Sequence, residues 1–242
     1  VREELGVKAQ VFKVGTFKSA VEPFTLKQMS EANRLQMSVL IGGLWKDICA
    51  SVGASRNISS DSLNAYADRY LALADAQDYK NLKLVDELTY IDQVREQLHE
   101  RVGDDFSMID PSTLAALEQP QGTENIAVYY ASGNIVDVAG TGALMGGDDE
   151  IVGDKVVSDL DALAKNDDIK AVVLRINSGG GSAYASEQMW RAIQLLKQKK
   201  PVVISMGGVA ASGGYYMACG ANRIFADPTT ITGSIGIFAM IP

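Results

Sequence analysis

Two continuous apolar segments constrain the fold of this chain more than any other feature. The segments "IKAVVLRIN" (169–177) and "PVVISM" (201–206) lack polar alternation, which is typical of strands buried on both faces of a parallel sheet. A third strand is predicted at 125–133, and helices are predicted at 151–165 and 183–199. Strand and helix alternating about every 30 residues favour right-handed βαβ units. We therefore predict an α/β fold.

Two glycine-rich loops follow the apolar strands. These are "NSGGGS" (177–182) and "GGVAASGG" (207–214), and the second contains Ser212 at the start of a predicted helix. In open parallel sheets, ligands bind at the carboxyl ends of the strands. The two loops are therefore predicted to lie close together at the carboxyl ends of the strands, on one edge of the sheet, and to form a ligand-binding site.

Several familiar glycine motifs do not match these loops. A dinucleotide site needs GxGxxG with a later acid, a P-loop needs GK[ST], and a hydrolase elbow needs GxSxG. His99 is the only histidine and lies in a charged helical stretch, so a Ser-His-Asp triad is not expected. What remains is a serine beside two glycine amides, with a lysine as the leading candidate for its base. Close packing of a helix on the sheet is the other explanation for Ser212.

The composition of the chain excludes several classes of partner and binding site. The net charge is −8 and no basic cluster occurs, which argues against nucleic acid as a partner. Cys49 and Cys219 are the only cysteines, so neither a disulfide framework nor a metal site is expected. We find no signal peptide and no apolar run of about 18 residues that would span a membrane. The chain begins without Met, on what resembles mid-domain sequence, and we expect it to be a piece of something larger.

The first half of the chain has a different pattern. A strand is predicted at 8–15, and apolar spacing predicts helices at 37–48, at about 60–74 and at about 90–102. The stretch 104–123 is rich in prolines and acids and predicts a linker. We therefore expect two domains, residues 1–103 and 124–242. A glycine-rich, acidic stretch at 140–150 predicts a mobile loop.

Four motifs together resemble a known family. "VFKVGTFKSAVEPF" (11–24), "NSGGGSAYASE" (177–187), "VVISMGGVAASGGYYMA" (202–218) and "TGSIGIF" (232–238) occur in the order found in the signal peptide peptidase A (protease IV) family. The resemblance is to its long, two-repeat Gram-negative type and covers essentially the whole chain. It implies ClpP/crotonase-like spiral domains. Residues 1–103 would then be the C-terminal part of one repeat, and 124–242 the N-terminal part of the next.

The resemblance also implies roles for individual residues. Ser212 would be the nucleophile and Lys18 the general base of a Ser–Lys dyad. The amides of Gly213 and Gly181 would form the oxyanion hole, and Ser234 would orient the lysine. In the glycine loop this sequence departs from the family: Gly179 stands where proline is usual, which loosens the loop and keeps its amides.

A lysine base must lose its proton near neutral pH, which requires burial and no neighbouring carboxylate. We therefore predict that Phe17, Ala20, Val21 and Phe24 form a dry pocket around the lysine. For the same reason Glu22 should point away from the dyad.

The function that the resemblance implies is cleavage of short apolar peptides, namely remnant signal peptides, without a metal or cofactor. The protein would be a homo-oligomer, by resemblance a tetramer, at the bacterial inner membrane and facing the periplasm. Its membrane tether would lie N-terminal to this chain. Two alternatives stay open: a crotonase-like acyl-CoA enzyme, which needs neither Ser212 nor Lys18, and a catalytically silent assembly module.

Overall fold

The computed structural model describes residues 10–69, 71–104, 106–117, 122, 124–140 and 150–241. The strands are β1 (Gln10–Lys13), β2 (Asn125–Ser132), β3 (Asn134–Val136), β4 (Glu150–Val152), β5 (Ile169–Ser178), β6 (Val202–Ala210), β7 (Arg223–Phe225) and β8 (Phe238–Ile241). The helices are α1 (Glu22–Thr25), α2 (Glu31–Arg56), α3 (Ser60–Ala67), α4 (Ala76–Asn81), α5 (Ile91–Val102), α6 (Pro111–Leu117), α7 (Gly153–Lys165), α8 (Ala183–Lys197) and α9 (Gly213–Ala218). Most of the loop predicted at 140–150 lies outside the described residues.

The chain divides into two compact units. One contains residues 1–44 and 123–242, and the other contains residues 45–122. The division differs from the domain boundaries predicted from the sequence, because the first 44 residues group with the last 120. The origin of the two parts in successive repeats stays a prediction.

The larger unit is built on a four-stranded parallel sheet. Its strand order is β2-β5-β6-β7, and alternate side chains of β5 and β6 pack with helices α7 and α8 in one core. The fully buried large side chains of this core are Leu160, Val172, Leu174, Ile176, Met189, Ile193, Leu196, Val202, Ile204 and Met217. The predicted α/β fold is confirmed.

The carboxyl ends of β5 and β6 bring the two glycine loops together. The amide of Ala211 donates to the carbonyl of Ser178 at 3.0 Å. A Cβ placed on Gly180 would lie 2.7 Å from Cβ of Ser212. The predicted proximity of the loops is therefore confirmed, and only glycine fits at position 180.

A second, smaller sheet joins the start and the end of the chain. β1 pairs antiparallel with β8, so that Gln10 lies opposite Ile241. Beyond the strands, the amide of Val14 donates to the carbonyl of Ile237 at 3.3 Å. The sequence predicts a strand at 8–15 but not its pairing with β8. This pairing brings Lys18 to the segment around Ser234.

The smaller unit, residues 45–122, is helical. The hydroxyl of Ser59 caps α3 by accepting the amide of Ser62, and α3 ends at Ala67, earlier than predicted. The predicted linker contains a helix, α6, which begins after Asp110. The carboxylate of Asp110 accepts the amides of Ser112 and Thr113, so an aspartate cap followed by proline starts this helix.

Helix α2 is longer than the sequence pattern predicts. It runs from Glu31 to Arg56 instead of covering only 37–48, and by length and composition it could cross a membrane. The expectation that no segment of the chain meets that test is therefore wrong. The same test is also passed by core helices of soluble proteins and by signal sequences.

Candidate active site

Ser212 lies between the end of β6 and the start of α9. Its φ of 51° and ψ of −117° fall in a region that residues with a side chain rarely adopt. Such a backbone costs about 1–3 kcal/mol and persists only where its surroundings hold it. The amide of Ser212 donates to the carbonyl of Gly233 at 2.9 Å, and its carbonyl accepts the amide of Tyr216 at 2.8 Å. The loop therefore fixes the serine in a strained turn at the carboxyl end of β6.

The amides of Gly181 and Gly213 lie beside each other. A Cβ placed on Gly213 would be 3.3 Å from the nitrogen of Gly181. Among the described residues, neither N–H donates to a protein acceptor. Gly181 has φ of 154°, and a Cβ there would lie 2.1 Å from the carbonyl oxygen of Ile135. Two free N–H groups thus lie where a side chain would be excluded, by the backbone of Ile135 at Gly181 and mainly by the side chains of Ser186 and Ile135 at Gly213.

Lys18 is buried and hydrogen-bonded to one residue. Its Nζ donates to the carbonyl oxygen and to Oγ of Ser234, at 2.8 Å each. Only 7% of Lys18 is exposed, and burial lowers the pKa of its amine below the ordinary 10.5. Ser234 has φ of 51°, so a strained backbone is found at this serine as well as at Ser212. The direction of the pKa shift is the one that a general base needs.

The nearest carboxylate in sequence, Glu22, is bound elsewhere. Its oxygens accept the hydroxyl and amide of Ser30 and the side-chain amide of Asn33. The hydroxyl of Ser30 is the largest cause of the lowered pKa of Glu22. The carboxylate is therefore directed away from Lys18, as predicted, and does not pair with the amine.

The predicted dry pocket around Lys18 is largely wrong. Phe17 is 52% exposed and Phe24 is 64% exposed, whereas Val21 is buried. The aromatic ring near the amine is that of Phe238, whose centroid lies 5.8 Å from Nζ of Lys18. Apolar character in a sequence does not reveal which neighbour covers a given side chain, and here the cover comes from the other end of the chain.

One cavity of about 480 Å³ brings the candidate residues together. Lys18, Ser212, Ser234, Gly181 and Gly213 all line it. Its other walls are mostly apolar and are formed in part by Ala183, Tyr215, Ile235, Ile237 and Phe238. Within the described part of the chain, no hydrogen bond joins Lys18 to Ser212. A serine, an amine of lowered pKa and two free amides around one cavity are the groups needed for acyl transfer.

Other residues considered in the sequence divide between the two units. His99 is half-exposed in the helical unit, where Nδ1 lies 3.2 Å from Oδ1 of Asp104. Cys49 is buried in α2. Cys219 is exposed and lines the cavity, as does Ser186. The sequence pattern did not indicate either of these last two as wall residues.

Comparison with solved structures finds partial similarity to many chains, including the following three. A membrane-bound stomatin-specific protease mutant has 22% identity and a TM-score of 0.32, over 43% of this chain and 44% of that one. A ClpP1 mutant from Listeria monocytogenes has 20% identity and a TM-score of 0.28, over 40% of this chain and 46% of that one. An enoyl-CoA hydratase/isomerase family member has 21% identity and a TM-score of 0.28, over 30% of this chain and 36% of that one. The family of this chain is therefore assigned from sequence.

Sequence relatives cover nearly the whole chain. Protease 4 of Salmonella typhi is 39% identical over 253 residues, which is 99% of this chain and 40% of that protein. Protease 4 of Haemophilus influenzae is 35% identical over 260 residues, with 99% and 41% covered. A chloroplastic serine protease of Arabidopsis thaliana, SPPA, is 32% identical over 246 residues, with 98% and 36% covered. The chain thus spans about 40% of the length of the first two relatives.

The family comparison gives two matched segments. The model of peptidase family S49 matches residues 1–104 and 194–242. Lys18 lies in the first segment, and Ser212 and Ser234 lie in the second. The matched residues make up more than half of the chain. They include Lys18, Ser212 and Ser234, which line the cavity. This chain belongs to peptidase family S49.

Proposed function

We propose that the chain carries the active site of a serine peptidase in which Ser212 is the nucleophile and Lys18 the general base. The observation that carries the proposal is the cavity of about 480 Å³ that both residues line. A serine hydroxyl is a weak nucleophile and needs a base within reach. With no hydrogen bond yet between them, the two groups would approach when a peptide is bound, since catalytic contacts often tighten only in the substrate complex.

The hydrogen bonds of Lys18 are compatible with a neutral amine that acts as a base. A neutral amine has two N–H donors and one lone pair. The carbonyl oxygen and Oγ of Ser234 accept the two N–H groups, which leaves the lone pair to accept the proton of Ser212. Burial lowers the pKa of the amine and so increases the neutral fraction at a given pH. Ser234 is thereby proposed to orient the lysine.

The proposed reaction has two steps. In the first, Oγ of Ser212 attacks the peptide carbonyl carbon while its proton passes to Nζ of Lys18, and the amides of Gly181 and Gly213 bind the resulting oxyanion. The intermediate then collapses, and the ammonium of Lys18 protonates the departing amine. In the second step, water attacks the ester through the same base and oxyanion hole, which releases the acid and restores Ser212. One such oxyanion donor contributes about 3–4 kcal/mol to catalysis.

The proposed substrates are short apolar peptides, including remnant signal peptides. The apolar walls of the cavity, among them Ile235, Ile237 and Phe238, support this class. By the family resemblance, we further propose a homo-oligomer at the bacterial inner membrane that faces the periplasm. By the same resemblance, we propose that the chain contains parts of two repeats.

Labelling with a serine-directed fluorophosphonate tests the proposal. The intact protein should form one adduct at Ser212, mapped by mass spectrometry. The labelling rate should rise with pH as Lys18 loses its proton, and it should fall by about 100-fold in Lys18→Ala. An adduct at another serine, or an unchanged rate in Lys18→Ala, would refute the Ser–Lys mechanism.

A further inference from the structure

Tyr216 forms part of the cavity wall, four residues after Ser212. Its backbone amide donates to the carbonyl of Ser212 at 2.8 Å, and its side chain is 39% exposed. The position of its main chain is therefore fixed relative to the proposed nucleophile. Its side chain has two rotatable bonds, so contacts of the side chain itself must determine which part of the cavity the ring occupies.

Helix α8 supplies two contacts to this ring. The phenol hydroxyl of Tyr216 donates to the carboxylate of Glu187. The ring centroid lies 6.4 Å from that of Trp190, with the planes inclined by 36°. Glu187 and Trp190 are three residues apart on one helix, so they face the same side of it. One contact holds the tip of the side chain and the other holds its face.

The bond to Glu187 is of the stronger kind. A neutral hydroxyl that donates to a carboxylate makes a charge-assisted hydrogen bond, roughly twice as strong as one between neutral groups. The same bond is the main cause of the raised pKa of Tyr216, so the phenol keeps its proton and continues to donate at neutral pH. Glu187 itself does not line the cavity. Any effect of Glu187 on a bound peptide would therefore act through the tyrosine.

We propose that Glu187 is a positioning residue for substrate selection, because it holds Tyr216 as a fixed wall of the cavity beside Ser212. The inference rests on the proposed peptidase function and adds a determinant of side-chain size to it. A fixed wall distinguishes substrate side chains that differ in volume, and such discrimination ranges from about 10-fold to 200-fold per methylene in apolar pockets. A wall that is free to rotate discriminates less.

The test is a double-mutant cycle in the intact protein. Two peptides are compared that differ only in one residue on the acyl side of the cleaved bond, alanine or phenylalanine. The selectivity, defined as the ratio of their kcat/KM values, should fall about 3-fold to 10-fold in Glu187→Ala, mainly through KM. Tyr216→Phe removes the same hydrogen bond and should cause the same fall. The double variant should show no further loss, because both changes remove one interaction.

Three controls make the result specific. Glu187→Gln keeps an acceptor for the phenol and should restore at least half of the wild-type selectivity. Arg191→Ala, an exposed position on the same helix, should leave it unchanged. Thermal melting identifies any variant that is misfolded, and Tyr216→Phe then answers the question alone. Unchanged selectivity in Glu187→Ala or Tyr216→Phe, or additive losses in the double variant, would overturn the proposal.

The proposed peptidase function can fail separately. If Ser212→Ala still cleaves both peptides, the nucleophile assignment falls whatever Glu187 does. If Ser212→Ala is inactive and Glu187→Ala keeps full selectivity, only the positioning role falls.

Discussion

The two sides of the candidate site are built in different ways. Ser212 follows β6, whose residues are largely buried in the core of the sheet. Lys18 and Ser234 meet because β1 pairs with β8. The side chains of this two-stranded sheet are almost entirely exposed. The nucleophile side therefore directly follows a strand of the buried core. The base side depends on a thin contact between residues 216 positions apart.

Because of this difference, substitutions on the two sides should affect stability and activity differently. A side chain added at a tightly packed glycine of the loops, such as Gly181, meets backbone atoms and should reduce stability together with activity. Changes at Lys18 or Ser234 remove few packed contacts and should reduce activity with little or no loss of stability. The following predictions test that distinction, beginning with the largest expected effect.

Ser212→Ala should cause the largest loss of peptidase activity. Without the hydroxyl no acyl-enzyme forms, and loss of a nucleophile of this type lowers kcat by about 10⁴-fold to 10⁶-fold. The fold should be unchanged, because only one oxygen atom is removed, from a half-buried side chain that lines the cavity. Hydrolysis of a fluorogenic peptide and circular dichroism measure the two effects. Residual activity at a tenth of wild type would place the nucleophile elsewhere.

Lys18→Arg should be as inactive as Lys18→Ala, about 10²-fold to 10⁴-fold below wild type. A guanidinium stays protonated at any accessible pH and cannot accept the proton of Ser212. The wild-type kcat/KM should rise with pH through the pKa of Lys18, which burial places below 10.5. Rate profiles against pH measure both points. Substantial activity in Lys18→Arg would mean that the residue supplies charge rather than basicity.

Gly181→Ala should destabilise the fold as well as the site. The new Cβ would lie 2.1 Å from the carbonyl oxygen of Ile135, and overpacking of this kind costs about 1–3 kcal/mol of unfolding free energy. Gly179→Ala is the matched control, because nothing lies within 4 Å of a Cβ there and its cost should stay within about 0.5 kcal/mol. Urea denaturation compares the two. Equal stabilities would show that the loop relaxes easily.

Ser234→Ala should lower kcat about 10-fold and leave stability almost unchanged. The variant removes the Oγ acceptor of Lys18 but keeps the backbone carbonyl, so the lysine loses one of two orienting bonds. Ser234→Cys, which keeps a weaker acceptor and has no branch at Cβ, is the control for this positive-φ position and should retain more activity than alanine. Kinetics and melting temperature of the three proteins decide the matter. A large fall in melting temperature would show that the base side is also structural.

The same contrast explains what the sequence could predict. The strands, the glycine loops and Ser212 as a candidate follow from local patterns, because buried parallel strands and glycine turns have distinctive compositions. Lys18 has no local signal as a base, and only the resemblance to the family indicates it. The β1–β8 pairing could not be derived, since short exposed strands carry no register information. The roles given to Phe17 and Phe24 failed for the same reason, and Phe238 at the far end of the chain lies over the amine instead.

The smallest expected effect concerns the stability cost of Lys18. Its folded pKa lies below the ordinary value of 10.5 because of burial, so between the folded and the ordinary pKa the unfolded chain binds more protons than the folded one. The unfolding free energy of the wild type therefore rises with pH over that interval. Below the folded pKa the full cost of burying the ammonium is present, and Lys18→Met should remove it there.

The advantage of Lys18→Met should accordingly be greatest below the folded pKa and shrink as the pH rises from there towards 10.5. Urea denaturation of both proteins at pH 7 and pH 10 measures the difference. Ser212→Ala provides the comparison, since a serine does not titrate in this range and its effect on stability should be the same at both pH values. If Lys18→Met gained stability from pH 7 to pH 10 relative to wild type, the lysine would be stabilised in its charged form when folded. A charged Lys18 would then stabilise the fold, and the proposal that Lys18 is neutral when the enzyme works would be refuted.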